Sequence, residues 1–122
     1  MKTIFVTIIM ICLATVGFAQ DTTYQNATQY YIVLYTLGEN WDTSKQPQEQ
    51  LYFKEHSSHL SELRKSKRID MGGRYSDTGM ILLKAKDETE AQNLITKDIA
   101  IQNKLFNAAV FPFNPFYKGC VE

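Results

Sequence analysis

Cysteine, proline, tryptophan and net charge are all scarce in this chain, and each shortage excludes something. The 122 residues hold two cysteines, three prolines and one tryptophan, and 13 basic residues balance 13 acidic ones. With Cys12 inside an N-terminal apolar run and Cys120 near the other end, no disulfide framework and no Cys-x-x-Cys redox pair can be drawn. The balanced charge offers no basic footprint for nucleic acid. P-loop, GxGxxG and GxSxG patterns are missing, so nucleotide hydrolysis, Rossmann chemistry and nucleophile-elbow hydrolysis have no support. There is no repeat at solenoid period and no low-complexity tract.

What is present begins with a targeting signal. Lys2 precedes an apolar run from Ile4 to Val16, followed by Gly17-Phe18-Ala19 and then Gln20-Asp21. This is the layout of a secretory signal peptide cleaved near Ala19-Gln20. The run is short for a membrane span, which needs about 20 apolar residues; an uncleaved anchor is the alternative. The expected division is a signal peptide over 1–19, a flexible polar leader over 20–28 and one folded domain over 29–118. Secreted or periplasmic placement follows, with no membrane attachment after cleavage. Removing Lys2 leaves 12 basic and 13 acidic residues, a net of about −1. In an oxidising compartment Cys120 is either free or bridges two chains. Asn26-Ala27-Thr28 fits the glycosylation pattern, relevant only in a eukaryotic secretory route.

Within the domain, Tyr30 to Thr36 is dense in β-branched and aromatic residues and predicts a buried strand. Residues 38–48 predict a long loop carrying Trp41, which either caps the core or lines a pocket. From Glu49 to Lys67 the period turns helical, with Tyr52, His56, His59, Leu60 and Leu63 on one face. A basic run, Arg64-Lys65-Ser66-Lys67-Arg68, sits at the C-terminus of that helix, where cations suit the macrodipole. Ile69 to Met71 predicts a short strand ending at Gly72-Gly73, and Met80 to Ala85 its hairpin partner. Asp87 begins a second helix, with Glu90 placed to reach back as in a capping box. That helix ends near Lys97-Asp98, and residues 99–106 add a short further helical turn. Ala108 to Phe113 is the last strand, with Pro112 and Pro115 favouring a sheet edge or strand end.

The order β-α-β-β-α-β predicts an α+β domain of ferredoxin-like type. Its four-stranded antiparallel sheet would carry both helices on one face. The strands hold more apolar matter than one helical layer covers, which predicts a homodimer packed sheet to sheet.

Little in the chain suggests chemistry apart from two residues brought together by folding. His56, on an apolar helix face, is a candidate general acid or base. Asp98, at a helix end where a negative charge is mildly unfavourable, is placed to orient it. His59 stands one turn from His56. Glu55-His56-Ser57-Ser58-His59 falls one residue short of the zincin spacing and puts its glutamate first, so no metal site and no cofactor is expected. Arg74, after the glycine pair, offers a fork for a substrate carboxylate.

Glu55-His56, His59, Leu60, Leu63 and the segment Ile69 to Gly73 together resemble the YCII-related (YciI-like) domain. Gly79, Met80 to Leu83, Glu90-Ala91, Asp98 and the closing Val110-Phe111-Pro112-Phe113 continue the likeness over nearly all of residues 30–116. The resemblance implies a dimeric α+β barrel-like assembly of ferredoxin-like subunits, with a paired histidine and aspartate at His56 and Asp98. It gives His59 an aromatic-like wall position. Two residues depart from the pattern: Ile99 follows the aspartate where proline is usual, and Lys67 replaces a glycine after the first helix. Two functions are consistent with these residues. One is a small-molecule enzyme of proton-transfer type, an isomerase or lyase, with Arg74 and the Trp41 loop positioning substrate. The other is a non-catalytic dimeric ligand-binding module of the cell envelope. A purely structural partner protein is a third, which would need no pocket.

Overall fold

The computed structural model describes residues 28–119. The expected signal segment, the leader up to residue 27, Asn26, Cys12 and Cys120 lie outside the described residues. Seven elements follow in order: β1 Gln29–Leu37, α1 Phe53–Lys65, β2 Ile69–Tyr75, β3 Thr78–Ala85, α2 Glu88–Thr96, α3 Ile99–Gln102 and β4 Phe106–Phe113. The strands form one antiparallel sheet in the order β2-β3-β1-β4. This α+β arrangement is compatible with the expected split β-α-β topology. β4 is an edge strand, as Pro112 requires, since proline cannot serve a central ladder.

Strand alternation sorts the side chains into two layers. Tyr31, Val33 and Tyr35 of β1 pair across to Leu83, Ile81 and Gly79 of β3 and to Pro112, Val110 and Ala108 of β4. This row forms the core with Leu63 of α1, Ala91 and Ile95 of α2, and Ala100 of α3, so the helices cover this face. The opposite face carries Ile32, Leu34, Met71, Met80, Leu82 and Phe111, and Phe111 is 51% exposed. In β2 the register shifts between Ile69 and Met71, a bulge at Asp70. Asp70 forms an ion pair there with Lys84 at 2.6 Å.

Several boundaries differ from the sequence expectation. The first helix starts at Phe53 instead of Glu49, because Pro47–Glu49 forms a separate 3-10 turn and Tyr52 takes a left-handed conformation with φ 70°. The loop before it is held by buried Gln50, which donates to the Asp42 carbonyl at 2.6 Å and accepts from the Asp42 amide at 3.0 Å. β2 runs through the glycine pair to Tyr75, since the hairpin turn needs only Ser76 and Asp77. Asp87 caps α2 as expected, accepting from the Glu90 amide at 2.8 Å. Glu90 does not complete a capping box. Its carboxylate accepts from the Lys86 amide at 2.7 Å and from Arg68 at 2.9 Å. Those bonds, the Lys86 amide first, hold it below the usual carboxylate range. Arg68 therefore ties α2 to the chain after α1, while Arg64 and Lys65 end α1 as expected.

The end of α1 explains Lys67. The Arg68 amide donates to the Leu63 carbonyl at 2.8 Å and the Lys67 amide to the Arg64 carbonyl at 3.0 Å, the pairing of a Schellman cap. That cap places Lys67 in the left-handed region with φ 60°, where a Cβ is disfavoured and glycine fits. Lys67→Gly is expected to raise stability by about 1 kcal/mol. A higher urea midpoint with an unchanged slope checks it.

Candidate functional site

His56 is the fourth residue of α1, on the face turned to the sheet, and is 8% exposed. Asp98 is the N-cap of α3 and is 1% exposed. One carboxylate oxygen accepts from the Ala100 amide at 2.9 Å, and the other lies 2.5 Å from His56 Nδ1. Only the dipole part of the expectation changes: Asp98 follows the end of α2 but stands at the start of another helix, so its position is not a mildly unfavourable one. The chain restarts as α3, so the charge faces free amides at a helix beginning, where it is favourable. Ile99 holds the first position of that helix, the one that suits proline. The departure at this residue therefore leaves the cap geometry intact.

The arrangement fixes the imidazole in two ways. A carboxylate that already accepts from an amide is an acceptor for Nδ1–H, so in the neutral ring Nε2 is the nitrogen that keeps its lone pair. Aromatic rings hold the plane: Tyr35 meets it edge-on at 5.2 Å between centroids and Phe106 lies at 4.6 Å. Nε2 takes no hydrogen bond among the described residues, nor is it one of their sealed, unpartnered atoms. His56 thus presents a fixed nitrogen to a neighbouring space.

That space is a cavity of about 350 Å³ lined by His56 together with Tyr35, Phe53, Leu60, Arg74, Ile81 and Phe106 among others. It falls at the small end of the range for ligand pockets, roughly 300–1,000 Å³. Its origin is legible in the sheet. Opposite Tyr35 stand Gly79 on one side and Ala108 on the other, and Gly72 stands opposite Ile81. Small residues on the inner row of this end leave the room that branched side chains fill elsewhere.

The expected site residues do not all meet here. Arg74 reaches the cavity, and among the described residues its guanidinium makes only a long contact, 3.4 Å, to the Asp77 carbonyl. Trp41 is not in the lining. It packs against Phe106 from outside, centroids 5.5 Å apart, and supports the ring that contacts His56. His59 lines a different space of about 420 Å³, with Lys54, Glu55, Ser58, Glu62, Lys97, Asp98 and Ile99, and its buried Nε2 has no partner among the described residues. Three residues on from His56 the side chain is offset by roughly 60° about the helix axis, which brings His59 to the side of α1 facing Lys97, Asp98 and Ile99. Among the described residues no three His, Cys, Asp or Glu side chains gather as a metal site would require.

Tyr35 was not anticipated as a site residue. Its hydroxyl is buried and unpartnered among the described residues. Burial, and then the charge of Asp98, push the phenol well above its ordinary pKa, so it stays protonated. A buried hydroxyl without a partner costs about 1–3 kcal/mol. The available sequence signal was its place on the inward row with Tyr31 and Val33, since an inward tyrosine needs somewhere to put its hydroxyl.

Comparison with known proteins finds no matching family model, no matching curated protein and no matching solved structure.

The pair makes a direct prediction. Asp98→Ala removes a helix cap, worth roughly 1 kcal/mol, and leaves Nδ1 unpartnered at a further cost of about 1–3 kcal/mol. Asp98→Asn keeps a side-chain acceptor and is expected to lose distinctly less. Urea unfolding of the two variants beside the parent chain measures the difference.

Proposed function

We propose that this protein is a small-molecule enzyme of proton-transfer type, an isomerase or lyase. His56 serves as general base and acid, and Asp98 sets its tautomer. The observation that carries this reading is the buried His56–Asp98 bond, which leaves Nε2 open at the wall of a small, mostly apolar cavity. The bond supports the reading because a general base needs a fixed lone pair facing its substrate, and an imidazolium formed beside a carboxylate is stabilised. Arg74 would receive a carboxylate on the substrate. The same pocket used for binding without turnover is the competing reading, and it is supported by the same apolar lining.

The YCII-related architecture belongs to this proposal, as does its dimer. The row of half-buried Ile32, Leu34 and Leu82 with exposed Met71 and Phe111 on the face without helices supports a second copy packed sheet to sheet, completing a barrel-like assembly. The signal-peptide layout at the N-terminus supports export to the periplasm or beyond.

Two measurements test these points. A small-molecule screen by thermal shift, run on the parent chain and on His56→Ala, should yield compounds that stabilise only the parent. Turnover of such a compound should fall roughly 10²–10⁴-fold in His56→Ala; binding with no turnover by the parent would favour the non-catalytic module, and an unchanged rate would reject His56 as the base. Phe111→Glu should convert a dimer to a monomer in sedimentation velocity while leaving the far-ultraviolet circular dichroism unchanged. A monomeric parent chain would remove the dimer from the proposal.

A further inference from the structure

A cation without an anion stands at the mouth of the cavity beside His56. Arg74 is exposed, lines the cavity, and has no acidic partner within ion-pair distance among the described residues. Its register turns it inward. Arg74 pairs with Gly79, and Gly79 with Tyr35, so all three share the inner row of the sheet. The imidazole of His56 meets the ring of Tyr35, centroids 5.2 Å apart. Two strand spacings, roughly 10 Å, separate the backbones of Arg74 and Tyr35, and Gly79 between them raises no side chain. Arg74 Nη1 lies 3.4 Å from the carbonyl of Asp77, itself a residue of the wall, which puts the guanidinium at the hairpin end of the cavity. So long a contact is hardly a hydrogen bond, and the fork keeps its donors for a guest.

Away from the fork the walls are apolar. Phe53, Leu60, Ile81 and Phe106 border the space, whose volume of about 350 Å³ suits a short chain or a single ring. Asp77 borders the same mouth and has no basic partner within ion-pair distance among the described residues. A second negative charge on a guest would therefore find no further cation there and would face this carboxylate. Resting on the reading of this cavity as the substrate site, we infer that its substrates are small, largely apolar monocarboxylic acids. The carboxylate lies in the fork of Arg74, and the carbon skeleton crosses Gly79 to end beside His56. Arg74 is thus a specificity-determining residue: it selects the acid over its amide and fixes which carbon meets the base. Gly79 is the floor of the path. A Cβ there would meet only the Cβ of Tyr35, at 3.6 Å, an ordinary contact, so the missing side chain leaves space that the backbone itself does not require.

Benzoate, benzamide and phthalate serve as probes, read out by NMR on the imidazole C–H signals of the chain's two histidines. His56 reports on this cavity, and His59, which lines the other space, is the internal control. Benzoate should shift the His56 signals and leave those of His59 in place, with benzamide binding about tenfold or more weakly. Arg74→Met should weaken benzoate by a similar factor, with Arg74→Lys between it and the parent. Phthalate should bind less well than benzoate, and Asp77→Asn should narrow that gap. Gly79→Val should lose benzoate while unfolding no lower than the parent, since a branched residue suits a strand. Phthalate binding as well as benzoate overturns the limit to one charge, and benzoate binding unchanged in Gly79→Val overturns the path. If benzoate and benzamide shift His56 alike, or Arg74→Met keeps the preference for benzoate, the assignment of acids to Arg74 is overturned while the cavity stands as a binding site. If no probe shifts His56, or benzoate shifts both histidines alike, the inference falls together with the reading of the cavity on which it rests.

Discussion

One buried carboxylate organises the part of this molecule where chemistry is plausible. Asp98 has two oxygens and two obligations, a free amide at the start of α3 and an imidazole on α1. Its burial is tolerable only because both are met, since an unpaired buried charge is strongly disfavoured. Meeting them joins α1 to the start of α3, about forty residues away in sequence. The imidazole is then caught between Tyr35 and Phe106, and Phe106 is held in turn by Trp41 and Phe53. Binding energy, helix capping and ring packing all converge on the orientation of one side chain.

The approach of the chain on the far side is equally constrained. A Cβ at Gly38 would collide with the carbonyl of Lys104, and the Gly38 amide donates to Leu105 at 2.8 Å. Glycine there lets the end of β1 lie against the backbone that leads into β4. Phe106 begins β4 directly after this contact, so the ring beside His56 is positioned from the backbone outward. The site is held by regular elements and close backbone contacts, with little left to a mobile loop.

Much of this was legible before any coordinates. The β-branched and aromatic run of Tyr30 to Thr36 identified a buried strand, Asp87 was recognisable as a cap, and His56 and Asp98 emerged as a pair. The remainder was hidden for definite physical reasons. Asp98 sits where one helix stops and a single turn of another starts, and a four-residue helix is too short to show a period of its own. Glu90 has the spacing of a capping box, but its carboxylate is drawn to the Lys86 amide and to Arg68, a partner more than twenty residues away in sequence. Lys67 takes a conformation its residue type disfavours because the Schellman hydrogen bonds impose it. Tyr35 looked like any strand aromatic until its neighbours across the sheet proved to be Gly79 and Ala108, too small to fill the space beside it.

The bulge at Asp70 acts like a frameshift within the sheet. Ile69 points to the core, and in an unbroken strand the same side would next be taken by residues 71, 73 and 75, turning Arg74 outward. The extra residue changes the parity, so Gly72 and Arg74 share the inner face instead. One uncounted residue, placed four positions before the arginine, thus decides whether the cavity has a cation at its edge. Inserting or deleting a residue in β2 would exchange the two faces of the strand beyond it, handing Arg74 to the apolar side and Met71 or Gly73 to the cavity. The chemical character of the pocket is therefore set partly by strand length, independently of which side chains the strand carries.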